Sequence, residues 1–447
     1  MEKAKLLYRR DMKALSSVQK LRFYPFVAQR GLGAALIDPD GKEYLDFSSG
    51  WGVVNTGYNH PRVIEAVNRQ MRQLSFASTI SVINEESVRL AEMLAGLLPG
   101  RAPKSVWFGH SGSDANEFIA KVIPVATGKS KLLTFVGSYH GQTMGSCAMS
   151  GHPAQSRFGG GGNIVKLPYP DCYRCPFEKD RGACGLFCLR YIETYIFKAA
   201  VDPGQIGAVV IEAIQCDGGD IVPPDGFLQG LQELCGKYGI LLVLDEVKIG
   251  IGRTGRLFGF EHWGIEPDLV VLAKPLGSGQ PISAVAGRKD IMDAGVCMHL
   301  FTTAGNPVGC AAAIETLNIV REERLAENAA DIGAYLKIKL EKLKEQYEFI
   351  GDVRGKGLVL GIDLVKDKAS REPDPRSAAL VLYRVFELGL LIYNSGLYSN
   401  VLELTPPLII DKRQADTAVA LLGQAFDDVL QGKVPQEKSD AFSGWNT

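Results

Sequence analysis

No apolar run in the 447-residue chain approaches the roughly 18 residues that a membrane span requires. The opening residues Met1-Glu2-Lys3-Ala4-Lys5 are charged and lack the apolar stretch of a secretory leader. Basic surplus is missing too: 49 Lys and Arg against 50 Asp and Glu leave a net charge of −1, which argues against nucleic acid or an anionic membrane as partner. None of the six histidines stands at metal-ligand spacing from another, so no catalytic metal is expected. The nine cysteines are an odd number, which argues against a disulfide framework in a chain of this size. There is no internal repeat. These absences leave a cytoplasmic globular protein that handles a small molecule, long enough for two domains.

What is present is most concentrated around Lys274. It closes the apolar run Asp268-Leu269-Val270-Val271-Leu272-Ala273-Lys274 and is followed at once by Pro275-Leu276-Gly277-Ser278-Gly279. A lysine at the inner end of a buried strand is costly unless chemistry uses it, and a neutral amine is what attacks a carbonyl. A second apolar strand, Ile240-Leu241-Leu242-Val243-Leu244, ends in Asp245-Glu246. A lysine and a carboxylate at the same edge of a parallel sheet match the needs of pyridoxal phosphate, whose aldehyde takes a lysine and whose ring nitrogen takes an acid.

The spacing predicts strands near residues 105–109, 131–136, 208–212, 240–244 and 269–273, separated by helical or loop stretches. That alternation predicts an α/β fold with a mainly parallel sheet covered by helices, and ligands in such sheets sit outside the carboxyl ends of the strands. Glu212, Asp245 and Lys274 all fall at those ends. A charged amphipathic stretch at 315–347 reads as a long helix or helix pair, and 349–365 and 389–410 read as strands of a smaller α+β domain. A hairpin is expected over 34–47 around Asp38-Pro39-Asp40-Gly41. The division expected is a segment 1–59 joining the small domain, a large cofactor domain 60–314 and a small domain 315–447. The polar stretch 431–447 is expected to be peripheral.

Two further motifs follow strands. Ser111-Gly112-Ser113-Asp114-Ala115-Asn116-Glu117 opens a helix with small residues, so that backbone N–H groups can approach an anion; by itself it could also be a capped helix that binds nothing. Gly137-Ser138-Tyr139-His140-Gly141 places an aromatic where it could stack on a pyridine ring, or simply fill a core or rim position. Gly250-Ile251-Gly252-Arg253-Thr254-Gly255 fits G-x-G-x-x-G without the strand–turn–helix context that a dinucleotide site needs, and the run 159–162 lacks the Lys-Ser/Thr of a phosphate loop. Cys172, Cys175, Cys184 and Cys188 form C-x2-C and C-x3-C pairs in an irregular segment; a structural zinc clip and reduced cysteines packing a loop are both open.

In this order Leu244-Asp245-Glu246-Val247, Gly252-Arg253-Thr254-Gly255, Pro267-Asp268-Leu269 and Ala273-Lys274 resemble the signature of the class III aminotransferases. Asn55-Thr56-Gly57-Tyr58, Asn306-Pro307 and Gly351-Asp352-Val353-Arg354-Gly355 extend the resemblance over the whole chain. It implies a fold-type-I pyridoxal-phosphate enzyme working as a homodimer, with active sites at the subunit interface. Carried over by position, Lys274 attaches the cofactor, Asp245 pairs with the ring nitrogen, and Ser111, Gly112 and Ser113 hold the phosphate. Tyr139 stacks on the ring, Thr302 reaches the neighbouring subunit's phosphate, and His140, Glu212, Val247 and Lys248 complete the cofactor set. Trp51 lines the substrate pocket.

The departures narrow the expectation. Enzymes of this class usually place an arginine before the Pro-Pro-Leu turn to clamp a substrate carboxylate; here Glu403 stands there, in Asn400-Val401-Leu402-Glu403-Leu404-Thr405-Pro406-Pro407-Leu408. Asp217 replaces a glutamate common in relatives, and Lys248 replaces the glutamine after Asp-Glu-Val, near the expected position of the cofactor's phenolic oxygen. The chain is similar in these positions to the α-amino-ε-caprolactam racemases of this class. The likeness extends through Gln19-Lys20-Leu21-Arg22-Phe23, Trp107-Phe108-Gly109-His110, Arg371-Glu372-Pro373 and the terminal Phe442-Ser443-Gly444-Trp445. It implies inversion at the α-carbon of a lactam or amino acid amide. Lys274 is expected to remove the α-proton from one face, and Asp217, directly or through water, is the candidate for the other, although Asp217-Gly218-Gly219 also reads as a plain structural turn; Glu403 could accept a hydrogen bond from an amide N–H. An ω-amine or 4-aminobutyrate-type aminotransferase, and an amino acid racemase or epimerase, are the alternatives.

Overall fold

The computed structural model describes residues 2–156, 158 and 161–442. Seven strands form the large sheet: β1 (Lys104–Gly109), β2 (Lys131–Phe135), β3 (Ile164–Leu167), β4 (Ile206–Ile211), β5 (Leu241–Asp245), β6 (Leu269–Leu272) and β7 (Ser283–Arg288). Their spatial order is β1-β7-β6-β5-β4-β2-β3. β7 runs antiparallel to both its neighbours, β1 and β6, and every other pairing is parallel.

The apolar runs follow from burial on both faces. Val243 of β5 packs with Ile119, Val122 and Ile123 of helix Gly112–Thr127, while its neighbours Leu242 and Leu244 pack on the opposite face with Leu228 and Leu231 of helix Phe227–Tyr238. A strand covered by helices on both sides has no reason to alternate polar and apolar residues. β3 and β7 lie outside the five expected strands. β7 reads Ser-Ala-Val-Ala-Gly-Arg, and its small residues carry little of the β-branched and aromatic signal that marks a strand.

The hairpin is present as Ala35–Ile37 against Glu43–Asp46, and Leu390–Leu391 from the far end of the chain adds to it as a parallel strand. The amphipathic region is two helices, Pro307–Glu322 and Leu325–Gln346, with Arg324 at φ +54° breaking them apart. Ile350–Lys356, Val359–Asp367, Val401–Leu404 and Tyr393–Ser395 then form an antiparallel sheet. A short helix, Glu437–Ala441, ends the described chain, so Ser443-Gly444-Trp445 of the terminal likeness lies outside the described residues, as does part of the 159–162 run.

Candidate active site

A cleft of about 310 Å³ opens at the carboxyl ends of the parallel strands, lined by residues from six separate segments that include Ser111–Ser113, Tyr139–Gly141, Asp245 and Lys274. Helix Gly112–Thr127 begins directly after β1. Ser111 Oγ accepts from Asp114 N and Asp114 Oδ1 accepts from Ser111 N at 2.8 Å, a reciprocal cap that leaves the N–H groups of Gly112 and Ser113 without intrahelical acceptors. A Cβ at Gly112 would lie 2.9 Å from Val247 Cγ1. Gly141, at φ +127°, lets its loop pass so close that a Cβ there would sit 2.6 Å from Ser113 Cα. Gln142 N donates to Ser113 Oγ at 3.1 Å, locking the loop onto the helix start.

Asp245, almost wholly buried, is held by three donors. Asn116 Nδ2 donates to Oδ2 at 2.8 Å, His140 Nδ1 lies 2.7 Å from the same oxygen, and Val247 N donates to Oδ1 at 3.0 Å. Burial opposes charge on His140, but the Asp245 hydrogen bond and the carboxylates of Asp245 and Glu212 outweigh it and raise its pKa. His140 Nε2 is buried without a partner. Glu212 accepts from Tyr139 N at 3.0 Å and from Cys216 N at 3.1 Å, so one carboxyl pins two loops; burial pushes its pKa up to about 7.

Lys274 follows β6 in a turn of 3-10 helix, and its Nζ lies 5.8 Å from the centre of the Tyr139 ring. Behind it is a narrow recess lined by Tyr139, Glu212, Cys216, Asp217, Asp245, Lys248 and Lys274, among others. Lys248 Nζ is 2.5 Å from Glu403 Oε1 and 3.6 Å from Asp217 Oδ1, and all three side chains are buried. Burial alone would favour neutral Lys248, yet Glu403 and Asp217 hold its pKa well above the ordinary lysine value. Asp217 is likewise penalised by burial, but Lys248, Lys274 and His152 bring its pKa below the usual carboxylate value.

Most of the expected residues therefore meet: Ser111, Gly112, Ser113, Tyr139, His140, Asp245, Val247 and Lys274 line the cleft, and Glu212, Asp217 and Lys248 line the recess beside it. Three line neither cavity. Thr302 is exposed, with its carbonyl accepting from Ser78 Oγ. Trp51 packs against Tyr393 (4.5 Å between ring centres, planes tilted by 32°), with Lys248 Nζ 5.4 Å from its own ring. Glu403 lines neither cavity: its Oε1 is held by Lys248 Nζ, and its Oε2 is buried.

Asn116 was not singled out from the sequence. Its position, one helical turn after Gly112, puts it on the same helix face as the anion-facing residues, which is a signal that spacing contains. Arg253, from the Gly250-Ile251-Gly252-Arg253-Thr254-Gly255 segment, is fully buried and donates to the carbonyls of Leu358 and Pro406 and to Asn55 Oδ1, a structural tie between distant segments. Among the described residues, the group of His, Cys, Asp or Glu side chains that converges within 4.8 Å is Cys216, Asp220 and Glu403; Cys172, Cys175, Cys184 and Cys188 are partly exposed and do not converge in this way.

The family model of class III aminotransferases matches residues 16–426. The chain is 40% identical over 429 residues to a leucine/methionine racemase of Thermococcus litoralis, covering 95% of this chain and 96% of the relative. It is 38% identical over 446 residues to an alanine/serine racemase of Pyrococcus horikoshii, covering 97% of this chain and 93% of the relative. Its fold is similar to the crystal structure of a pyridoxal-phosphate-bound amine transaminase from an uncultivated Pseudomonas species. The two share a TM-score of 0.85 and 33% identity over 93% of this chain and 97% of that one. The chain belongs to the class III aminotransferase family and is a fold-type-I enzyme that uses pyridoxal phosphate.

Proposed function

We propose that the enzyme is a racemase that inverts the α-carbon of α-amino-ε-caprolactam or related amino acid amides. The observation that carries this reading is the Lys248–Glu403 pair. Among the described residues, Lys274 and Lys248 are the only Lys or Arg residues lining the cleft and recess, and Lys248 already has its carboxylate. A substrate carboxylate would meet no unmatched cation, whereas the carbonyl of a lactam or amide needs none.

The side chains fit pyridoxal phosphate on their own evidence: a carboxylate oriented by three donors, a glycine cradle at a helix start, and an orphaned buried nitrogen on His140. When bound, the cofactor supplies an electron sink for negative charge at the α-carbon. Asp245 would hold the ring nitrogen's proton, and Gly112 and Ser113 the phosphate. Lys274 Nζ takes the α-proton from one face, and Asp217, ionised because its cationic neighbours outweigh its burial, serves the other. A second copy of the chain would complete the site through Thr302.

A second reading, an amino acid racemase or epimerase, is favoured by the names of the racemase relatives. One experiment separates them. Holoenzyme is incubated in D2O, without keto acid, with a single enantiomer of an amino lactam, an amino acid amide or a free amino acid. Racemisation with α-deuterium uptake for the amide or lactam, and little for the free acid, is the expected result; the reverse preference would favour the second reading. Conversion of the cofactor to its amino form with release of a keto product would make the enzyme an aminotransferase.

A further inference from the structure

Asp220 is completely buried, and neither of its carboxyl oxygens has a donor. Glu403 has the same problem on one side, because Lys248 takes Oε1 while Oε2 is buried without a partner. An oxygen of each, together with Cys216 Sγ, lies within 4.8 Å of the others. The backbone has made room for this meeting. Gly361 is paired across the sheet with Glu403, and a Cβ at Gly361 would come within 3.0 Å of Asp220 Oδ2. Asp220 itself sits at φ +53° after Gly219 at φ +119°, an unusual conformation for a residue other than glycine.

The cations nearby are committed elsewhere. Arg354 donates to Gly219 O, Asp352 and Asp363, and Arg253 to Leu358 O, Pro406 O and Asn55. Lys248 faces two carboxylates already, Glu403 and Asp217. Two carboxylates in dry contact cannot both ionise at neutral pH, and an unpaired buried charge is strongly disfavoured. A single proton between the two supplies each with a hydrogen-bond partner. Burial and the neighbouring Glu403 push Asp220 well above the ordinary carboxyl range, consistent with that placement.

We propose that Asp220 is a positioning residue, kept as a carboxylic acid whose O–H donates to Glu403 Oε2 and so fixes Glu403 Oε1 on Lys248. The trio Asp220, Glu403 and Lys248 is then neutral as a unit, so Lys248 is matched by Glu403 and the charge of Asp217 beside it is not. Asp220 acts through Glu403 and Lys248 rather than on substrate. Its effect on rate rests on the reading of Asp217 as a proton-transfer group, whereas its protonation does not.

The test compares wild-type holoenzyme with Asp220→Asn, which keeps an N–H donor toward Glu403, and Asp220→Ala, which does not. At pH 9 the infrared difference spectrum, wild type minus Asp220→Asn, is expected to show a protonated-carboxyl C=O band that shifts in D2O. The racemisation kcat of Asp220→Ala is expected to fall about tenfold or more, with KM little changed, and Asp220→Asn to restore it to within about threefold, as expected for loss and recovery of a hydrogen bond to a charged group. Absence of the band overturns the proposal even if Asp220→Ala does not fold. So does an Asparagine variant as slow as the alanine one, or a stoichiometric divalent metal in dialysed wild type that both variants lose. A wild type that shows the band but racemises nothing would sink the racemase reading and leave the shared proton standing.

Discussion

Lys248 and Glu403 are 155 positions apart in the chain, yet their charged atoms are 2.5 Å apart and both residues are buried. A buried pair of this kind is worth little against a well-packed apolar pair but is costly to break from one side. Glu403→Ala should destabilise the holoenzyme by about 3 to 5 kcal/mol, because it leaves Lys248 with only the more distant Asp217. The double variant Lys248→Met with Glu403→Leu should recover most of that loss. Denaturant midpoints of the three proteins check both statements.

Asp217 has a sharper signature than loss of activity. If Lys274 and Asp217 serve opposite faces, Asp217→Asn should still wash deuterium into one enantiomer with retention, through Lys274, while inversion falls at least about 100-fold. Exchange and inversion falling together would assign the second proton transfer to another group. Chiral chromatography with mass detection reads both rates from one incubation.

The three donors on Asp245 point to electrostatics rather than attachment. Asp245→Asn should keep the cofactor on Lys274 but lower kcat by about 100-fold or more, since a neutral amide cannot hold the ring nitrogen's proton. Cofactor content by absorbance and turnover should therefore separate. Loss of cofactor in proportion to activity would instead make Asp245 a binding residue.

Glu212 carries a pH prediction. Its pKa is raised by burial from 4.5 to about 7, so the folded state holds a proton that the unfolded chain releases. The stability this contributes is complete below about 4.5 and is lost as pH rises through about 7. Glu212→Gln removes that dependence. The difference in unfolding free energy, variant minus wild type, should therefore grow between these limits, by an amount on the order of 3 kcal/mol, and level off above. Chemical unfolding at pH 5, 6, 7 and 8 measures it; a flat difference would show that Glu212 is ionised throughout.

The sequence made Lys274 and Asp245 legible because a charge ending an apolar strand has few explanations other than chemistry. It made Gly112 and Ser113 legible because small residues opening a helix leave N–H groups accessible. The partner of Glu403 was not legible. Its position in place of the usual arginine marked it as unusual, but whether its carboxylate faced substrate or lysine depended on the register of Val401–Leu404 against Val359–Asp367, which no local pattern encodes. The role of Asp220 was hidden for the same reason, since an aspartate after two glycines reads as an ordinary turn. β7 was missed because its alanines and glycine are selected by close packing against neighbouring strands rather than by propensity.

The strand Leu390–Leu391, which hydrogen-bonds in parallel to Leu45 and Asp46, has a consequence for synthesis. The ribosome must add a further 345 residues after Leu45 before that partner exists, roughly 20 to 70 s at ordinary elongation rates. During that interval Tyr44 and Phe47, which end buried, have no C-terminal cover. The amino-terminal hairpin thus reaches its final pairing only after most of the chain has been made.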